Sequence, residues 1–389
     1  MTHSRWNLAT FAAAALALTL AVNANAQNDA ARAIYLSAAN VATNVAGINT
    51  YPDPPKGFNP LAASNEELAS YGFPMRPDKQ AAPDHYRAWE RAMRAAKIRW
   101  HGELKALPSR SMPVAPPAQT PEGAQLFAAA KASNAEASGV ILNSNATKWG
   151  SASFSDIWSV INVPVVSQPF ANSSCTDGWY ESMSLVGIDG YVYYSPATGH
   201  PLFEPGETTG VEEAFYCYTG GPTFYAAIFG YGSALNQAFA LNPGDSFYTE
   251  IHAFGGCNTG SAFIEDLRTL TFGSYTIPLP CGAVPQQTGR YANWVVWRPP
   301  FANNGAALDG LSPLANTINI SFDGAEVLNL AGKPFYPGSQ ATTTWVMTMM
   351  DDGFDQPIEL VSQGSGGSQG LHSLFFETTG CAYTGGCTP

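Results

Sequence analysis

The chain has 389 residues, 45% of them hydrophobic and only 12% charged, with a net charge of −12. That length leaves room for a large core and a second segment, while the acidic balance excludes a nucleic-acid binder, whose affinity comes from basic contacts to phosphate. The charge is also uneven: residues 27–148 carry thirteen Lys and Arg against ten Asp and Glu, whereas residues 149–389 carry four against twenty.

Residues 1–26 read as a secretory signal peptide. His3 and Arg5 make a weakly positive start, Ala12 to Val22 is apolar apart from Thr19, and Ala24-Asn25-Ala26 is an A-x-A cleavage site. The apolar run is too short to span a bilayer. The expectation is therefore a secreted or periplasmic protein with no membrane partner.

Residues 27–148 read as a basic leader with a linker. Tyr51-Pro52-Asp53-Pro54-Pro55 is extended, because proline pushes the preceding residue out of the helical region. Ser64-Asn65-Glu66-Glu67-Leu68 has the cap and first-turn acids of a helix start. From Asp84 to Leu107 the pattern predicts one long helix, with Trp89, Met93, Ile98 and Leu104 on an apolar stripe. Pro108 to Pro121 holds five prolines and reads as a linker.

From Trp149 the period becomes strand-like. Short runs rich in Val, Ile, Thr, Tyr and Phe are cut by Gly, Pro and Asn: Ile157–Val166, Ser184–Ile188, Val192–Tyr194, Phe224–Phe229, Ser246–Ala253, Ser261–Leu267, Leu270–Ile277, Trp294–Trp297, Thr317–Phe322, Thr343–Met349 and Leu374–Glu377. No helical pattern intervenes, so residues 149–389 are predicted to be an all-β sandwich of two antiparallel sheets. The stretch around Glu204, Glu207, Glu212 and Glu213 reads as an acidic loop. All six cysteines lie in the body, an even count that fits three disulfides in an exported chain. Sequence order favours Cys175–Cys217, Cys257–Cys281 and Cys381–Cys387 among the fifteen pairings that six cysteines allow.

No His/Cys spacing suits zinc, and neither metal nor cofactor is expected. Asp351-Asp352-Gly353-Phe354-Asp355 is read as an acidic turn and Gly366-Gly367-Ser368-Gln369-Gly370 as a flexible loop; His200, His252 and His372 are read as strand or surface residues. Trp179, Tyr225 and Trp294 are aromatic enough to line a peptide- or sugar-binding groove.

Several stretches resemble one known family. Val186-Gly187-Ile188-Asp189-Gly190 resembles the end of the "S-x-W-V-G-I-D-G" segment of the glutamic peptidases, or eqolisins, and Ala292-Asn293-Trp294-Val295-Val296 resembles their "A-E-W-I-V-E" strand. In the same order as in that family come Ile157–Pro164, Thr208–Glu212, Phe224–Tyr231, Asn242–Ser246, Gly260–Leu267 and Leu314–Phe322. The resemblance implies a concanavalin-like double sheet and a groove worked by a Gln and a Glu. The Glu would carry the proton and the Gln amide would meet the developing oxyanion.

This chain departs from the pattern at both places. The Glu position is Asn293 and the Gln position is Thr208; the strand Trp of the first landmark is Leu185, and the Trp and Glu of the family's aromatic strand are Ala227 and Phe229. Two readings follow. One is a degenerate binding protein holding a peptide or polysaccharide with Asp189, Trp179, Tyr225, Phe229 and Trp294. The other is an acid endopeptidase using a relocated carboxylate, Glu204, Glu207 or Glu212, whose crowding could raise one proton affinity. The resemblance also implies a basic leader docked on the acidic body, with Arg87, Arg91, Arg94, Lys97 and Arg99 facing carboxylates.

Overall fold

The computed structural model describes residues 31–107, 129–134, 137–167, 179–189, 193–194, 201–202, 207–216, 221–230, 235–255, 260–277, 279, 287–297, 300–303, 306–311, 316–318, 320–339, 343–350, 357–364 and 373–378. The expected signal peptide, the linker, all six cysteines, Glu204, His200, His372, the acidic turn and the Gly/Ser loop lie outside the described residues.

Fourteen principal strands build the body: β1 Ala137–Asn143, β2 Phe154–Asn162, β3 Trp179–Ile188, β4 Glu207–Tyr216, β5 Gly221–Gly230, β6 Leu235–Ala240, β7 Ser246–His252, β8 Gly260–Asp266, β9 Thr271–Ile277, β10 Tyr291–Trp297, β11 Ile320–Asn329, β12 Thr343–Met350, β13 Pro357–Gly364 and β14 Ser373–Thr378. Each pairs antiparallel with its neighbours in two layers. Layer one runs β9-β8-β7-β2-β11-β14-β13 and layer two runs β12-β1-β10-β3-β4-β5-β6; the β12–β13 hairpin joins them at a corner. One short strand, Ala129–Asn134, adds a parallel partner to β12. The all-β sandwich of two antiparallel sheets is therefore what these residues form, and no described residue of the body is helical.

Strand alternation explains the layering. Ile157, Ile161, Phe247, Ile251, Ile264, Phe322 and Val327 of layer one share one buried cluster with Val140, Leu142, Val186, Ile188, Ile228, Trp294 and Val296 of layer two. Successive side chains on a strand point to opposite faces, so intervening residues face outward. Four principal strands, β1, β4, β6 and β13, have no counterpart among the runs read from sequence, and two of them show why. β4 contains three glutamates and a glycine, yet it sits between β3 and β5 and is hydrogen-bonded on both sides. β1 lies inside layer two although it precedes the composition change at Trp149.

The leader covers the outer face of layer one. Residues 31–38 form α1, Asn65–Ser70 form α2 and Pro83–Ala95 form α3. The predicted start of α2 is a full capping box: Ser64 Oγ accepts from Glu67 N at 3.2 Å while Glu67 Oε2 accepts from Ser64 N at 2.8 Å. The predicted long helix to Leu107 is corrected. α3 stops at Ala95, where Ala96 turns extended, and the chain continues as short strands Ile98–Arg99 and Lys105–Leu107. Tertiary pairing overrides helical propensity here: Ile98–Arg99 runs parallel to the β9 edge and Lys105–Leu107 antiparallel to the β6 edge. Only Trp89 and Met93 of the expected stripe serve α3; Ile98 is exposed and Leu104 enters the inter-layer core.

α3 is seated by apolar contact rather than by its arginines. Trp89, Ala92 and Met93 pack with Trp158, Tyr248, Phe263 and Phe272 of layer one. Arg87 pairs with Asp84, and Arg94 with Glu90 at 3.0 Å, each within the helix and near solvent. Arg99 pairs with Asp53 of the leader itself. The expected row of basic residues facing body carboxylates is not what holds this interface.

Candidate functional site

The two positions singled out by resemblance lie on one line. Across layer two the register aligns Ile141, Asn293, Gly187, Thr208 and Phe229 on β1, β10, β3, β4 and β5. One strand separates Asn293 from Thr208, and its residue in the row is a glycine.

Asn293 is buried and its Nδ2 donates to the Asp189 carbonyl at 3.1 Å. Asp189 is itself held in the turn after β3. Its backbone is left-handed, φ 52°, a conformation that aspartate tolerates better than most residues. Its carboxylate accepts the backbone N–H groups of Thr288 at 3.1 Å, Gly289 at 2.6 Å and Tyr291 at 2.8 Å. The side chain thus ties the turn to the start of β10, and the expected groove role of Asp189 is corrected to a positioning one: it fixes the carbonyl that holds Asn293.

Around Asn293 the outward face of layer two is apolar. Ile141, Met183, Leu185, Ala227, Tyr291, Val295 and Trp297 form one cluster there. Trp294 belongs to the opposite face. It is fully buried in the inter-layer core and its Nε1 donates to the Trp158 carbonyl at 3.4 Å, so it does not line a groove beside Asn293. Gly210, adjacent on β4, could not carry a side chain: a Cβ would stand 1.9 Å from the Ser184 carbonyl oxygen.

The expected acidic loop is corrected as well. Glu207, Glu212 and Glu213 belong to the regular strand β4, opposite Ile188, Met183 and Ser182 of β3. Alternation sets Glu212 on the same series of positions as Thr208 and separates it from Glu207 and Glu213. Tyr225 is half-buried on β5, paired in register with Glu212. Trp179 opens β3 opposite Tyr216, and Phe229 lies opposite Thr208.

Among the described residues, a dense set of ionisable groups lies elsewhere, where the leader meets layer one. Asp156 Oδ2 pairs with Arg32 of α1 at 2.9 Å and Oδ1 with His252 Nδ1 at 2.5 Å. His252 Nε2 lies 3.5 Å from Glu250 Oε1, and Glu250 Oε2 is 3.2 Å from His85 Nε2 of α3 and accepts from Tyr248. The His85 ring stacks on Trp158 at 4.9 Å and the His252 ring on Tyr35 at 5.1 Å. A cavity of about 80 Å³ borders this chain of charges.

Burial works against ionisation of Asp156, but the Arg32 charge and the His252 hydrogen bond outweigh it and hold the carboxyl well below the usual range. Burial likewise opposes the charged form of His252, yet the Asp156 hydrogen bond and the Glu250 charge raise its pKa. Two neighbouring carboxyls are pushed the other way. Burial raises Glu326, and burial with the nearby Asp266 raises Glu265 well above the ordinary value. Neither Glu265 oxygen has a hydrogen-bond partner among the described residues, as suits a neutral acid. Sequence reading missed this cluster because its members are dispersed from Arg32 to Glu326. The one local signal was the alternation Tyr248-Thr-Glu250-Ile-His252, three titratable residues on the same face of a strand.

Comparison with known proteins adds a likeness of fold. No family model and no curated protein matches the chain. Solved structures do. Scytalido-glutamic peptidase, bound to a peptide-based transition-state analogue, is 17% identical over 63% of this chain and 98% of its own, with a TM-score of 0.46. SCP-B, a member of the eqolisin family in complex with the tripeptide Ala-Ile-His, is 16% identical over the same shares, with a TM-score of 0.43. Aspergilloglutamic peptidase from Aspergillus niger is 22% identical over 51% of this chain and 99% of its own, with a TM-score of 0.38. These likenesses do not decide chemistry, which rests on the residues of this chain.

Among the described residues no cluster of His, Cys, Asp and Glu is arranged to hold a metal ion, and no helix is long and apolar enough to cross a membrane.

Proposed function

We propose that this is an exported binding protein on a glutamic-peptidase-like sandwich, holding a peptide or glycan at the outer face of layer two without cutting it. One observation carries the reading. In the row Ile141–Asn293–Gly187–Thr208–Phe229 no residue ionises, and the Asn293 amide is engaged with the Asp189 carbonyl. Hydrolysis through this row lacks a group to take a proton from water and pass it to a leaving amine. The apolar cluster around Asn293 is itself buried and gives the row a dry setting with no titratable neighbour in the cluster other than a tyrosine.

A second reading keeps one carboxylate in play. Glu212 shares the alternate positions of Thr208 on β4, four residues along, whereas Glu207 does not. It would make the protein an acid endopeptidase with a relocated proton carrier.

Incubation of the whole protein with denatured casein at roughly pH 3–4, where carboxylate pairs share protons, separates the two. The binding reading expects no peptide release. Release that is abolished by Glu212→Gln would establish the peptidase instead. In parallel, Asn293→Glu combined with Thr208→Gln tests whether the row lacks only its side chains: new acid proteolysis in that variant would support a scaffold emptied of its catalytic groups.

A further inference from the structure

A wide cavity of about 700 Å³ opens at the junction of the leader and the β9 edge. That volume falls in the range of small-molecule sites, roughly 300–1,000 Å³. Its apolar wall is formed by Phe58, Phe73 and Phe272, and its polar side by Lys97, Arg99 and His101, with Asp53 among them.

Arg99 is the unusual member. Its side chain is only 4% exposed. The guanidinium lies 4.8 Å from the centre of the Phe272 ring and 5.8 Å from that of Phe73, within cation–π range of both. Nη2 donates to the Tyr71 carbonyl, whereas Nε and Nη1 have no hydrogen-bond partner. Buried guanidinium donors are ordinarily satisfied, and their preferred partner is a carboxylate taken two-pronged. The nearest anion, Asp53 Oδ1, stands 3.5 Å from Nε and 3.4 Å from His101 Nε2, beyond good hydrogen-bond range, on a side chain that is 60% exposed. Asp53 screens the site without closing it.

We propose that this cavity binds a carboxylate carried on an apolar body, with Asp53 as a loosely held internal occupant that the ligand displaces. The incoming carboxylate takes one of the free Arg99 donors, Nε or Nη1, Lys97 supplies a second positive charge at the mouth, and the three phenylalanines receive the apolar part. The free acid and the carboxy-terminus of a peptide present the same chemistry. This site is remote from the Asn293 row and does not depend on what that row binds.

Calorimetric titration of the full chain with N-acetyl-L-phenylalanine and with its amide tests the idea. A charge-assisted hydrogen bond to a buried Arg predicts binding of the acid at least about tenfold tighter than the amide. Asp53→Ala should tighten the acid several-fold, and Lys97→Ala should weaken it; both residues are exposed enough for the fold to survive, which an unchanged melting temperature verifies. A short peptide ending in phenylalanine then distinguishes sources: tighter binding than the free acid assigns the site to peptide termini, and weaker binding assigns it to small acids. Equal affinity for acid and amide, or no acid binding to either the natural protein or Asp53→Ala, overturns the proposal.

Discussion

The two outer faces of the sandwich have opposite characters. The outer face of layer one carries Asp156, Glu250, His252, Glu265 and Glu326, all buried beneath the leader. The outer face of layer two carries an apolar cluster with a neutral Asn293 at its centre. Ionisable side chains therefore stand where the leader is gripped and are missing from the row in which family resemblance looked for a catalytic acid. Desolvated charges demand partners, and this chain finds them by threading Arg32 and His85 from the leader between Asp156, His252 and Glu250. The leader is thus part of the folded unit, occupying the outer face of layer one.

The most severe way to break that contrast is to delete residues 27–107. Trp158, Tyr248, Phe263 and Phe272 would lose their cover together with the ionic chain, and the remaining body is expected to lose its cooperative thermal transition. A truncated body with an unchanged transition in calorimetry would show instead that the leader is a removable accessory.

Next comes Asp156→Asn. It leaves Arg32 buried without its counter-charge and takes from His252 one of the two carboxylates beside it, and breaking a buried pair from one side costs about 3–5 kcal/mol. Chemical denaturation measures it, and a loss below about 1 kcal/mol would refute the assigned role.

Smaller, and diagnostic of sign, is the pH dependence. The Asp156 pKa is depressed, so its contribution is present above its unfolded value of about 4 and disappears as pH falls. His252 is raised, so its contribution is complete below about 6.5 and disappears as pH rises through the folded value. Glu265 and Glu326, also raised, act in the same sense from about pH 4.3 upward. Melting temperature should peak between roughly pH 4 and 6.5, and a maximum above pH 8 would contradict this arrangement. The smallest effect is Ser64→Ala at the α2 cap, expected to cost about 1 kcal/mol.

Much of the fold was legible because the inward and outward residues of most strands alternate, as in β7 and β10. What was not legible has physical causes. β4 is polar in composition but central in the sheet, where neighbours on both sides satisfy its backbone; composition alone reads it as a loop. α3 was overextended because Ile98 and Leu104 fit a helical stripe by spacing, while the sheet edges offered Ile98–Arg99 and Lys105–Leu107 strand partners. Asn293 and Trp294 are consecutive on a strand, so they cannot both face one groove. The ionic cluster was out of reach, since nothing local joins Arg32 to Asp156 or His85 to Glu250.

The same clasp of the leader sets the tempo of folding. Arg32 meets Asp156 across 124 residues, and Tyr51 donates to Ser261 across 210. During synthesis the leader emerges first and must wait, its apolar Trp89–Met93 side unsheltered, until β7, β8 and β9 exist to receive it. Contacts this distant in sequence slow the search for the native state, and a waiting apolar helix invites association with other chains. This protein should refold slowly and in a concentration-sensitive manner, with protection of α3 amides among the last events.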